Sequence, residues 1–236
     1  MAGKFVAFDI ETAKIVPGDD FNWQPHRPLG IACIASFSDE EAEPRIWLTR
    51  DADGKPAGQM SAADVAAFVD FLVDAAGQGA APLSWNGLAF DFDILAEESR
   101  RLDDCRKLAL GHVDMMFQVV CEKGFPVSLQ SAASGLGVSG KLKGIAGVDA
   151  PVLWAQGKHD KVIEYVAQDV RTTLAVALEA ERRKAFAWTT RKGTVGTMPL
   201  KRGWLSVEDA LKLPLPDTSW MSSPPVREEF LAWLGE

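Results

Sequence analysis

The feature that most constrains this chain lies near its N-terminus. Lys4–Asp9 (KFVAFD) reads as a strand, and Phe5, Val6, Ala7, Phe8 and Ile10 form an apolar run that is nearly continuous. Such a run is the pattern of a central strand covered on both faces, which implies helices packed on a sheet. The run ends in Asp9 and Glu11. Residues i and i+2 of a strand point to one face, so two carboxylates emerge side by side. They are either solvent-facing alternates or acids at the end of a buried strand, and acids in the second position need partners.

The remaining pattern agrees with a layered molecule. Leu29–Phe37 and Arg45–Thr49 read as second and third strands. Ser61–Ala76 has apolar residues at Val65, Phe68, Val69 and Leu72, which is helical spacing, behind a Ser61…Asp64 capping pair. Pro82–Trp85 is a short strand. Phe92–Leu102, Asp114–Glu122 and Ser128–Leu136 are helix candidates, the last two separated by a break at Gly124–Pro126. Lys158–Lys184 is the longest helical pattern, with Val162, Val166, Val170, Leu174 and Leu178 along one face. Three strands, then helix, strand and helices, predict an α/β fold with a mixed sheet. Ala187–Leu200 reads as a hairpin, and Ser206–Leu211 and Pro225–Leu234 as short closing helices. The expected organisation is one domain over residues 1–184 and an extension over 185–236 packed on it.

Composition narrows the class. With 47% apolar and 25% charged residues in 236, the chain is neither disordered nor fibrous. The longest run without charge, Gly124–Gly140, contains Pro126 and is no membrane span. The N-terminus carries acids where a secretory leader needs an apolar stretch. Cys33, Cys105 and Cys121 are odd in number and far apart, which suits free thiols in a reducing cytoplasm. The net charge of −8 disfavours non-specific nucleic-acid binding. Arg182–Arg202, with seven basic residues and no acid, is either a solvated helix end and hairpin or a local exception.

Two further acidic blocks stand out. In Trp85–Leu95 (WNGLAFDFDIL) a short strand ends in Asn86-Gly87, and Asp91 or Asp93 opens the next helix. Taken alone, that is what an N-cap looks like. In Tyr165-Val166-Ala167-Gln168-Asp169 the phenol and the carboxylate are four residues apart and share a helix face. Asp169 is either a rim residue of an amphipathic helix or a member of a site, and Tyr165 is the only tyrosine of the chain. Two carboxylates ~4 Å apart repel by about 4 kcal/mol at an effective dielectric near 20. Asp9, Glu11, Asp91 and Asp169 can therefore share one cleft in ionised form only with cations. Oxygen-only ligands favour Mg²⁺ or Mn²⁺ over zinc.

These three blocks, in this order, resemble the DEDD superfamily of 3′–5′ exonucleases, which have a ribonuclease H-like fold. FDIET resembles its first motif. Asn86, Phe90 and Asp91 resemble the N-x-x-x-F-D of its second, and Tyr165-x-x-x-Asp169 the tyrosine form of its third. The histidine branch carries His where this chain has Glu164. The nearest likeness is to the proofreading exonuclease domain of B-family DNA polymerases, over about Phe5–Leu178. The resemblance implies two divalent cations, Mg²⁺ or Mn²⁺, with Asp9, Glu11, Asp91 and Asp169 as metal ligands and Tyr165 positioning the nucleophilic water. It implies that Thr12, Asn86 and Phe90 contact the terminal nucleotides, and that the partner is nucleic acid with single-stranded 3′ ends, in settings such as DNA repair. Asp93 competes with Asp91 for its role.

Other features have two readings each. His112-Val113-Asp114 is a strand end with a helix cap, or the edge of a site. Lys141 and Lys143 are loop residues or phosphate contacts. Phe186 and Trp188 pack the hairpin, or stack on a single strand beside Arg182, Arg183, Arg191 and Lys192. Trp204, Trp220 and Trp233 are expected to pack the tail. The alternatives to an exonuclease are a catalytically silent nucleic-acid-binding module of the same fold, and a phosphatase for small molecules. The phosphatase usually needs a D-x-D motif that FDIET is not.

Overall fold

A computed structural model describes residues 4–18, 22–140 and 147–235. Lys141 and Lys143 lie outside the described residues.

One mixed sheet organises the chain. Its strands are β1 (Phe5–Thr12), β2 (Ile31–Phe37), β3 (Arg45–Trp47), β4 (Ala81–Ser84) and β5 (Val113–Asp114), in spatial order β3-β2-β1-β4-β5. β1 runs antiparallel to β2 and parallel to β4, and β4 runs parallel to β5. β1 is thus the middle strand, which is why its sequence is apolar on both sides.

Each face of β1 meets a different helical layer. Phe5 and Ala7 join Cys33 and Ala35 beneath Val162, Val166 and Val170 of α7 (His159–Arg183). Val6, Phe8 and Ile10 pack with Phe68 and Leu72 of α1 (Ala62–Gly77) and with Phe92 and Leu95 of α2 (Asp91–Ser99). Phe8 meets Phe92 edge-on, 5.1 Å between ring centroids. Fully burying one such side chain contributes about 1.5–3 kcal/mol, so the two layers fix the register of β1.

Helices begin at side-chain caps, of which Ser61 and Asp114 were expected. Ser61 Oγ accepts from Asp64 N–H at 3.1 Å, and Ser128 Oγ accepts from Ser131 N–H at 3.2 Å to open α5 (Leu129–Leu136). Asp114 opens α4 (Met115–Lys123) by accepting from Phe117 N–H at 3.0 Å. The helix expected over Phe92–Leu102 is instead two. Arg100 takes a left-handed conformation, φ 59°, and α3 (Leu102–Gly111) follows. α3 buries only Cys105, Leu108 and Ala109, a stripe too narrow for the pattern to announce. α6 (Ala150–Ala155) is a further short helix that the sequence pattern does not mark.

The hairpin is β6 (Ala185–Thr189) against β7 (Val195–Pro199). Phe186 is wholly buried and Trp188 nearly so, which removes both from any stacking role. The Trp188 backbone lies on Gly135 of α5, where a Cβ would come within 2.3 Å of it. α8 (Val207–Leu211) and a 3₁₀ helix, Arg227–Leu234, close the chain. Trp204 packs as expected and donates to Ala177 O at 3.1 Å. Trp220 does not: it is 67% exposed, edge-on to Phe125, in a stretch broken by Pro214 and Pro216. All three cysteines are free and buried. Among the described residues no helix is long and apolar enough to cross a membrane.

Candidate active site

The site begins where the two neighbours of β1 part company. The β1–β2 ladder runs on to Thr12, whereas the β1–β4 ladder stops at Ala7. Beyond Ala7 the β4 side of β1 is bare of strand. There Ile10 N–H donates to Asp91 Oδ1 at 3.2 Å. Ile10 stands between Asp9 and Glu11, so this bond ties the Asp91 carboxylate to the strand that bears the other two.

Asp9 and Glu11 share the face of Phe5 and Ala7, the face covered by α7. Asp9 is half-buried, and Glu11 is 6% exposed. Cys33, the β2 neighbour of Glu11, has its thiol pushed well above the ordinary range by burial first, then by the negative charges of Glu11 and Asp9. Tyr165 and Asp169 lie on the buried side of α7, at 2% and 3% exposure. The helix that covers the acid-bearing face of β1 therefore brings a carboxylate and a phenol to that layer. The Tyr165 hydroxyl is beside Gly147, where a built Cβ would be 3.9 Å from it.

Asp91 is aimed by the turn that precedes it. Asn86 adopts φ 74°, a left-handed conformation that asparagine tolerates better than most residues. Gly87 lies against Ser84, and a Cβ there would be 2.4 Å from Ser84 Oγ. Asp114 accepts from Asn86 N–H and Leu88 N–H, each at 3.0 Å, besides capping α4. Gly87 N–H donates to Ser84 Oγ at 3.0 Å, and Ser84 Oγ is 3.0 Å from His112 Nε2. His112 Nδ1 lies 2.7 Å from Ala109 O, a bond only an N–H can make, so neutral His112 accepts from Ser84 through Nε2. His112 and Asp114 thus act as a scaffold under the turn. Sequence shows the cap at Asp114 but not these cross-strand bonds.

Two candidates sort themselves by partner. Arg27 holds Asp93 with both terminal nitrogens, at 2.8 Å each, and Glu97 with Nε at 3.1 Å. Asp93 is thereby committed to structure, and Asp91 alone of the pair reaches β1. Phe90 is half-buried, with Trp23 edge-on at 5.4 Å, and Arg27 sits 5.3 Å from the Trp23 ring. Thr12 is buried just past a register shift that sets it opposite Ile31. Asn86 is half-buried.

The donor set decides which ion fits. Asp9, Glu11, Asp91 and Asp169 offer only carboxylate oxygen, which suits a hard divalent ion. Among the described residues no group of three or more His, Cys, Asp and Glu side chains is placed to hold a metal by itself. An ion of that class, such as Mg²⁺, takes one or two carboxylates and fills its octahedron with water and substrate phosphate. Two surface cavities lie elsewhere: about 510 Å³ beside Val73, Ala80 and Leu108, and about 400 Å³ beside Gln118, Leu205 and Pro216.

Comparisons with known proteins bear on this geometry. A family model described as RNase_H superfamily matches residues 54–180, more than half of the chain. The match takes in Asp91, Tyr165 and Asp169 and begins after β3, so Asp9 and Glu11 lie outside it. Among solved structures the chain is similar to the family B DNA polymerase of the hyperthermophilic archaeon Pyrobaculum calidifontis, with a TM-score of 0.55 and 20% identity. That likeness covers 76% of this chain and 24% of the polymerase, and at such identity it is a likeness of fold. No curated protein matches.

Proposed function

Because the chain belongs to the RNase H superfamily and carries its nuclease-type fold, we propose that it is a divalent-metal-dependent 3′–5′ exonuclease. It would release nucleoside 5′-monophosphates from single-stranded 3′ ends of nucleic acid. The observation that carries this reading is the bond from Ile10 N–H to Asp91 Oδ1, which joins the second acidic block to the first.

In this reading Asp9, Glu11 and Asp169 would hold two Mg²⁺ or Mn²⁺ ions, and Asp91 would help to hold the second through water. When bound, such ions polarise the phosphodiester and lower the pKa of the attacking water. The chain's own residues do the rest. Tyr165 orients the water through its hydroxyl for in-line attack. Asn86, Thr12 and Phe90 contact the terminal nucleotides. Asp114 and the Ser84–His112 pair hold the turn that aims Asp91. The water attacks phosphorus, the P–O bond to the 3′ oxygen of the preceding nucleotide breaks, and a proton ends on that oxygen. Residues 185–236 we read as an extension of this domain.

The test is a 3′-end ladder on labelled single-stranded DNA and RNA with Mg²⁺ or Mn²⁺. Wild type should shorten the strand stepwise. Asp9→Ala should not, while melting in EDTA close to the wild-type temperature. Equal laddering by the variant overturns the assignment. Strand binding without laddering by wild type leaves the silent binding module in its place.

A further inference from the structure

The C-terminal 3₁₀ helix, Arg227–Leu234, reaches the turn that aims Asp91. Trp233 Nε1–H donates to Leu88 O at 2.6 Å, across 145 positions of sequence. The helix is fastened before that contact. Arg227 is buried and donates to Cys121 O at 2.6 Å, Leu213 O at 2.8 Å and Pro214 O at 2.9 Å. Phe230 packs on Phe117 of α4 at 5.4 Å. Phe117 is the residue whose N–H meets Asp114, so the tail and the turn share one support.

The turn is thereby gripped from two sides. Asp114 holds the N–H groups of Asn86 and Leu88, and Ser84 holds that of Gly87. Trp233 holds the carbonyl of Leu88, three residues before Asp91. A carboxylate that is to hold a cation through water depends on such supports for its aim, and outer partners of metal ligands typically change affinity 10–100-fold.

We propose that Trp233 is a positioning residue: through its bond to Leu88 O the C-terminal extension sets the placement of Asp91, and with it the affinity of the site for its divalent cation. The proposal rests on the reading of Asp91 as a metal ligand.

The experiment uses the full-length chain with Trp233→Phe, which keeps a ring and removes the N–H. Mn²⁺ binding is measured by titration calorimetry, and hydrogen exchange follows the amides of residues 86–93. Trp233→Phe should weaken Mn²⁺ binding by roughly tenfold and speed exchange in that stretch. In activity assays the effect should vanish at saturating metal, with KM for the strand unchanged. Wild-type affinity and exchange in Trp233→Phe overturn the proposal. Asp91→Asn separates the two readings. If Asp91→Asn binds Mn²⁺ as wild type does, the metal reading has failed whatever Trp233→Phe does. If only Trp233→Phe is silent, the positioning role of Trp233 alone has failed. Should Trp233→Phe melt much earlier than wild type, native-state exchange on the wild-type chain decides. Joint opening of residues 227–234 and 86–93 at one denaturant concentration supports the proposal, and independent opening overturns it.

Discussion

The Asp91 carboxylate caps the backbone of β1 at Ile10, 3.2 Å from its N–H, at the point where the neighbouring strand β4 has already turned away. One residue thus finishes the edge of a sheet and is also the one proposed above as a metal ligand. Asp91→Asn keeps the acceptor oxygen for Ile10 and removes the charge. It should lower the cleavage rate on the order of 10²–10³-fold, the scale of losing one electrostatic contact to a transition state. In EDTA its melting temperature should equal or exceed that of wild type, since a repelling charge is gone. Steady-state kinetics and thermal melts check both halves.

Asp93, two residues on, is expected to behave in the opposite way. Its bidentate bond to Arg27 is largely shielded on the Asp side, so Asp93→Ala should cost about 1.5–3 kcal/mol, the worth of hydrogen bonds to a charged group. Cleavage at saturating metal should stay within a few-fold of wild type. Urea denaturation and the ladder assay measure these separately, and a variant that is stable but inactive would reverse the assignment of the two acids.

Gly87→Ala tests the turn itself. The added methyl would sit 2.4 Å from Ser84 Oγ, so the turn must shift or Ser84 must leave His112. Overpacking of this kind costs about 1–3 kcal/mol. The expected outcome is lower stability with weaker Mn²⁺ binding, read by urea denaturation and calorimetry.

His112 gives the fold a defined dependence on pH. Burial lowers its pKa below the ordinary 6.5, against the opposing pull of Asp114 and the Ala109 carbonyl. The unfolded chain binds a proton near pH 6.5 that the folded chain refuses. Stability is therefore full above that pH and declines as pH falls from 6.5 toward the folded value. His112→Gln should be less stable at pH 8 and flatter between pH 6.5 and 5. Urea midpoints in EDTA across that window report the difference.

The thiols should be silent. Burial pushes Cys105 up to about 12 and Cys121 up to about 11, and burial together with the charges of Glu11 and Asp9 raises Cys33 well above the ordinary thiol range. Thiolate is the reactive form, so an aromatic disulfide reagent at pH 8 should label none of the three until denaturant is added. Rapid labelling of Cys33 in the native state would mean that the acid-bearing edge of β1 opens freely.

Much of the architecture was legible because burial imposes periodicity. The double-sided apolar run of β1 announced a central strand, and the valine stripe at 162, 166 and 170 announced the helix that covers it. Caps at Ser61 and Asp114 were readable because capping is a bond within three residues. α3 escaped because three buried residues leave too faint a stripe, and Trp220 was misjudged because an exposed indole looks like a buried one in sequence.

What the chain's order of residues determined by itself was local: where carboxylates sit at strand ends and helix starts, and which of them share a face. Which acid of Asp91 and Asp93 turns toward β1, that Arg27 takes the other, and that Trp233 reaches back to Leu88 were decided only by tertiary structure. Those contacts join residues 66 to 145 positions apart, and no pattern within a helix or a strand records a neighbour that distant.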